Sequence, residues 1–150
     1  MTEIKKAKTL QLRPSMEALG IALSFVCRSS PYAEFRAAKI IKAIQHQLSS
    51  GSHVCLIENE QLVAYAGWLP IDLADGENWL AGKGTLHPSS SANPQAVALT
   101  IVSTTDPSQI PQLIRACRRL APQRTVYFKR DYPGGRSKKS KVQNRTRRAP

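Results

Sequence analysis

Acidic residues are scarce in this chain, ten against twenty-two lysines and arginines, and that shortage sets its formal charge of +12 at pH 7. A protein so poor in carboxylates attracts anionic partners and repels cationic ones. Aromatics are sparse as well, with two tryptophans, three phenylalanines and four tyrosines in 150 residues, so the core is expected to be aliphatic. Residues 136–150 hold no aromatic at all, which excludes base stacking by that stretch. The three cysteines, Cys27, Cys55 and Cys117, are odd in number, far apart and set among apolar neighbours. That argues against a disulfide framework or a zinc site and for buried free thiols. No apolar run approaches the ~20 residues that span a bilayer. Lys5, Lys6 and Lys8 lead to Gln11 and Arg13 where a secretion signal would turn apolar. A soluble, cytoplasmic protein with one packed core is the expectation.

The positive charge is unevenly placed. Residues 1–13 hold four basic groups and one acidic, and residues 131–150 hold seven and one, which leaves 14–130 with a net charge of only +3. The pattern predicts a basic N-terminal arm over 1–13, a folded domain over 14–130, and a basic tail over 131–150 that is disordered when alone.

Within 14–130 the periodicities alternate. Ser15 stands before a helical pattern of Met16, Leu19, Ala22, Leu23, Phe25 and Val26, with Glu17 in the first turn, and Ser29-Ser30-Pro31 stops it. With Pro31 read as its opening, a second helix is expected over 32–48, carrying Phe35, Ala38, Ile41, Ala43 or Ile44, and Leu48 on its apolar side. Gly51 ends it. Val54–Ile57 and Leu62–Leu69 read as a hairpin across Glu58-Asn59-Glu60-Gln61. Prolines, glycines and serines fill 70–95, predicting a long irregular connection. A strand over Ala96–Ser103, a helix capped by Asp106 and opened by Pro107, and a strand at Thr125–Phe128 complete the domain. By themselves these elements support an α+β fold with helices packed on a mixed sheet.

Ala18-Leu19-Gly20, the helix after it, Ser29-Ser30-Pro31, the helix ending Ala43-Ile44-Gln45, and the strand Leu62-Val63-Ala64-Tyr65-Ala66-Gly67-Trp68 occur in an order that resembles the RTX toxin-activating lysine acyltransferases. Arg115, Arg118, Arg119 and Pro122, then Phe128-Lys129-Arg130 and the Gly-Gly-Arg-rich end, are similar to that family's closing helix, strand and basic segment. The resemblance implies a GNAT-like fold. It also implies transfer of a fatty acyl group from acyl carrier protein to an internal lysine of a protoxin, as in hemolysin maturation, with no bound cofactor or metal. Acyl carrier protein, the protoxin and a second copy in a homodimer are the partners it suggests.

The family's catalytic histidine stands two residues after its Ser-Pro, and this chain has Ala33 there. The strand that should bring the family's aspartate reads Leu99-Thr100-Ile101-Val102, without a carboxylate. A positioned base contributes about 10²–10⁴-fold, whereas alignment of amine and thioester contributes on the order of 7–11 kcal/mol, so loss of the base leaves room for slow transfer. Tyr32, Glu34 and His53 are the local candidates to replace it, each more readily read as an ordinary surface or loop polar residue. Arg115, Arg118, Arg119 and Arg124 are candidates to dock an acidic carrier, or a solvated helix face. The turn Thr104–Ser108 leads into a helix whose amides suit a phosphate, although Asp106 repels one and Pro107 removes a donor. The tail attracts polyanions without sequence preference. The rival readings are an inactive relative that binds a carrier or partner, and a basic nucleic-acid-associated domain.

Overall fold

The computed structural model describes residues 7–131 and 137–143. Its elements are β1 (Lys8–Leu10), α1 (Met16–Val26), α2 (Ala37–Ser50), β2 (His53–Glu58), β3 (Gln61–Ile71), α3 (Leu73–Leu80), β4 (Ala96–Thr104), α4 (Ile110–Leu120), β5 (Thr125–Asp131) and β6 (Ser137–Gln143). Short 3-10 turns occupy Tyr32–Glu34 and Pro107–Gln109. The strands form one six-stranded sheet in the order β1-β2-β3-β4-β5-β6. Neighbours β1/β2, β2/β3 and β5/β6 are antiparallel, and β4/β5 are parallel. A parallel pair needs a crossover connection, which α4 supplies. The expected mixed sheet with flanking helices is what the chain forms. No described helix is long and apolar enough to cross a membrane. The chain divides into two compact units, Met1–Gly67 with Ile101–Cys117, and Trp68–Thr100 with Arg118–Pro150.

In the first unit, the Ser15 hydroxyl accepts from the Ala18 N–H at 2.9 Å and starts α1 where the sequence placed it. Ala18, Leu19, Ala22, Phe25 and Val26 are buried against Ile40, Ile44 and Leu48 of α2 and Cys55, Tyr65 and Ile101 of the sheet. Each large aliphatic side chain buried this way contributes about 1.5–3 kcal/mol. The second helix differs from expectation. Pro31 precedes only the 3-10 turn, Phe35 and Arg36 are extended with ψ of 148° and 133°, and α2 begins at Ala37. Its buried face is therefore Ile40, Ile44, Gln47 and Leu48, and Phe35 is left exposed. Gly51, with φ of 67°, closes it by donating its N–H to the Gln47 carbonyl.

The β2–β3 hairpin turns at Asn59 and Glu60, both left-handed with φ of 51° and 62°. The arm expected over 1–13 contributes β1, with Lys8 opposite Ile57 and Leu10 opposite Cys55. Three residues with one large apolar side chain are too few to display alternation, which is why β1 is invisible in the sequence.

The second unit has its own core of Ile71, Ala96, Ala98 and Tyr127, with Leu69, Trp79, Leu80 and Leu86 packed on it. The connection expected to be irregular from 70 to 95 begins with the end of β3 and α3, and only the stretch after Leu80 lacks helix or strand. Gly76 hides α3 from the sequence, since glycine costs a helix interior about 1 kcal/mol relative to alanine. The tertiary fold requires it: a Cβ there would lie 2.4 Å from Tyr127 Cε2. Within the stretch read as a tail, Ser137–Gln143 forms β6, in register with β5 from Thr125↔Gln143 to Asp131↔Ser137. Residues 1–6, 132–136 and 144–150, including Lys5, Lys6, Arg136, Arg145, Arg147 and Arg148, lie outside the described residues.

Candidate functional site

The segment after Ser29-Ser30-Pro31 is a single 3-10 turn fixed by its own hydrogen bonds. Ala33 N–H donates to the Ser29 carbonyl at 3.1 Å, Glu34 N–H to the Pro31 carbonyl at 3.1 Å, and the Ser30 hydroxyl to Glu34 Oε1 at 2.6 Å. Ala33 is exposed on this turn, and so is Glu34. Tyr32 points inward. Its ring meets Phe35 edge to face at 5.6 Å, and the Lys39 ammonium lies 5.0 Å from the Phe35 ring centre. Its hydroxyl accepts from the Val102 N–H at 2.9 Å and donates to the Val102 carbonyl at 3.3 Å. A side chain thus satisfies both backbone groups of one residue in β4. The turn that carries Ala33 and the strand that carries Leu99-Thr100-Ile101-Val102 are hydrogen-bonded to each other through that phenol. Thr100 itself is half-buried in β4.

His53 opens β2 and is 1% exposed. Its Nε2 accepts from the Leu12 N–H at 2.9 Å, so Nδ1 carries the proton and donates to the Gln47 carbonyl at 3.1 Å. Burial lowers its pKa, opposed by those two bonds. Both nitrogens are engaged, and proton transfer at Nε2 first requires release of Leu12. The Gln11 amide adds bonds to the Gly51 and His53 carbonyls, each at 2.8 Å, completing a clasp on the N-terminal segment. Beside it, the buried Tyr65 hydroxyl donates to Gln47 Oε1 at 2.7 Å, and burial pushes the Tyr65 phenol up. A Cβ on Gly67 would sit 2.0 Å from that same Oε1, so glycine there is a packing requirement.

At the start of the last helix, the Asp106 carboxylate accepts from the Ser108 N–H at 3.0 Å, which holds it below the usual carboxylate range. This places a negative charge where a phosphate would need donors. Arg115, Arg118 and Arg119 are three and four residues apart on α4 and share one side of it by helical geometry. Arg124 lies past the helix end, beyond Gln123 at φ of 63°. Cys55 and Cys117 are buried free thiols, each pushed up to about 12 by desolvation, whereas Cys27 is only half-buried. Among the described residues no cluster of three His, Cys, Asp or Glu has metal-binding geometry.

One cluster in the second unit has no counterpart in the sequence reading. Tyr127 donates its hydroxyl to Glu77 Oε1 at 2.9 Å, and the Lys141 ammonium pairs with the same oxygen while lying 5.8 Å from the Tyr127 ring centre. Hydrogen bonds from Lys141, then Tyr127, lower the Glu77 pKa. Desolvation first, and Glu77 second, push Tyr127 up to about 12. Only the register Tyr127↔Lys141 and a helix over 73–80 bring these three together, and neither is legible in residue spacing.

No protein-family model matches the chain, and no curated protein does. Among solved structures it is similar to the GphF GNAT-like decarboxylase in complex with isobutyryl-CoA, at 20% identity and a TM-score of 0.56 over 84% of this chain and 67% of that one. It is also similar to a GNAT family acetyltransferase from Streptococcus agalactiae, at 6% identity and a TM-score of 0.57 over 86% and 78% of the two chains. A third is a GNAT family acetyltransferase from Brucella melitensis in complex with acetyl-CoA, at 11% identity and a TM-score of 0.54 over 86% and 79%. At these identities the likeness is one of architecture, and the architecture of this chain is GNAT-like.

Proposed function

We propose that this protein is an acyltransferase on a GNAT-like scaffold, which moves a fatty acyl group from a thioester to a protein lysine. The observation that carries the reading is the bond pair between Tyr32 and Val102. It joins the two segments that the resembled toxin-activating family uses for its histidine and its aspartate, in a chain that has neither residue. The reaction needs the lysine amine to lose a proton, attack the thioester carbonyl and expel the thiol. Glu34 is the one carboxylate on the Ser29–Arg36 segment and the leading replacement base, with Tyr32 holding the segment in place. Acyl carrier protein is the donor that the resemblance supports, with Arg115, Arg118, Arg119 and Arg124 as its contact residues and a protoxin as acceptor. The CoA thioesters named with two similar structures make CoA the second donor to test.

Incubation with an acyl carrier thioester or acyl-CoA and a lysine-bearing acceptor, followed by intact-mass measurement, tests the proposal. An acyl mass on lysine supports it, and Ala33→His raises the rate. No transfer from either donor, by the wild type or by folded Ala33→His, refutes it. A second reading, an inactive relative that binds an acylated carrier or partner, is favoured by Ala33 itself and by the engagement of both His53 nitrogens. Measured carrier affinity without turnover selects it.

A further inference from the structure

The N-terminal segment from Ala7 to Leu12 lies along β2, and little of it is buried. Lys8, Thr9, Leu10 and Gln11 are exposed, and Leu12 is the residue that packs on the core. Polar contacts hold the rest: the three-residue pairing of β1 with β2, the two Gln11 amide bonds, the Leu12 N–H on His53 Nε2, and Gln112 Nε2 donating to the Ala7 carbonyl at 3.2 Å. A segment with so few buried apolar contacts opens at far lower cost than the core. Because β1 is the first strand of the sheet, its departure leaves β2 as the edge.

His53 ties this segment to α2 through one acceptor and one donor nitrogen, and protonation acts on the two sides unequally. Nδ1 donates to the Gln47 carbonyl in either state, and a charged ring strengthens that bond. Nε2 changes from acceptor to donor, so two N–H groups then face each other across 2.9 Å with no acceptor between them. The bond to α2 is kept and the bond to Leu12 is lost, at a buried position where an unmet donor is costly. The ring is flanked by Tyr65 of β3, stacked at 6.0 Å, with Gly67 opposite in register, by Gln47 of α2, and by Gln11 and Leu12 of the segment itself. The titratable groups there, Tyr65 and Cys55 on β2, are pushed up by burial and stay neutral in acid. Among the described residues no carboxylate bonds the ring. Lys8 and Arg13, both exposed, give the segment a positive charge that a charged His53 repels.

We propose that residues 7–12 are a strap released by acid, with protonation of His53 as the trigger, which uncovers the edge of β2 while the rest of the fold stays closed. With the strap away, Nε2 reaches water and takes up a proton near the ordinary 6.5, whereas in the closed state burial holds the pKa below that value. Opening therefore grows as the pH falls below about 6.5, by up to about tenfold per pH unit until the closed-state value is reached. Release asks less of acid than unfolding does, since the Gln47 bond and the core that α1 and α2 share are kept. The uncovered edge is then open to pairing with an extended strand. This device does not depend on acyl transfer.

The test is hydrogen exchange of the full chain, read by mass spectrometry between about pH 7.5 and 5.5, with each rate divided by the intrinsic amide rate at that pH. The proposal expects protection of the peptide spanning residues 8–13 to fall severalfold, up to about tenfold, while peptides in α1 and β3 keep theirs. In His53→Gln, whose amide oxygen accepts from Leu12 at any pH, strap protection should not change with pH. Gln11→Ala removes two of the strap's bonds and leaves the ring untouched, so it should lower strap protection at every pH without flattening the fall, a reading that remains if His53→Gln does not fold. Strap protection that is flat with pH in the wild type, a parallel loss in α1 and β3, the wild-type fall persisting in folded His53→Gln, or Gln11→Ala leaving strap protection unchanged overturns it.

Discussion

The Tyr32 hydroxyl is bonded to both the N–H and the carbonyl of Val102, 70 residues away in sequence. Loss of that oxygen deprives two part-buried backbone groups of a partner at once. Tyr32→Phe is expected to destabilise the fold by roughly 1–3 kcal/mol, read as a lower urea midpoint. If acyl transfer is confirmed, the rate should fall further than stability explains, because the Ala33–Glu34 turn loses its anchor.

Gly76→Ala separates helix propensity from packing. Propensity alone favours alanine by about 1 kcal/mol, yet the new Cβ would lie 2.4 Å from the Tyr127 ring. Overpacking costs about 1–3 kcal/mol, so the net expectation in denaturant unfolding is a loss of up to about 2 kcal/mol. A gain in stability would show that Tyr127 yields freely.

Acid should weaken the clasp around His53. Its folded-state pKa is lowered from 6.5 by burial, so below that value the unfolded chain takes up a proton that the folded ring refuses. The stability this site contributes is complete above about pH 6.5 and is lost as the pH falls from there through the folded-state value. Urea midpoints between pH 7.5 and 5 should decline in the wild type and decline less in His53→Gln, whose amide oxygen still accepts from Leu12.

Glu60 takes a left-handed conformation, φ of 62°, in the β2–β3 turn. That conformation costs a non-glycine residue about 1–2 kcal/mol, while glycine loses about 0.5–1 kcal/mol more chain entropy on folding. Glu60→Gly is therefore expected to stabilise the protein by up to about 1.5 kcal/mol, measured by thermal or urea unfolding.

The thiols should divide by burial. Cys55 and Cys117 are buried and pushed up to about 12, and Cys27 is partly exposed. Titration of the native protein with a thiol reagent should modify Cys27 quickly and the other two only on unfolding, and rapid reaction of all three would contradict the packing described.

Where a single element carries its own signal, the sequence was sufficient. Ser15 caps α1, Gly51 ends α2, Asn59 and Glu60 turn the hairpin, and Asp106 caps the turn before α4, because caps and turns are satisfied by atoms within a few residues. The element pattern reached an α+β fold with a mixed sheet, and the GNAT-like form of it was implied by the resemblance to the toxin-activating family. The tertiary structure decided what depends on partners distant in sequence. Gly76 conceals α3 because its reason for being glycine is Tyr127, and β1 and β6 exist only through pairing with β2 and β5. Likewise no spacing announces that Tyr32 meets Val102, that His53 is tied to Leu12 and Gln47, or that Glu77 holds Tyr127 and Lys141. Periodicity records which face of an element is buried, whereas the identity of what covers it is fixed only when the whole chain closes.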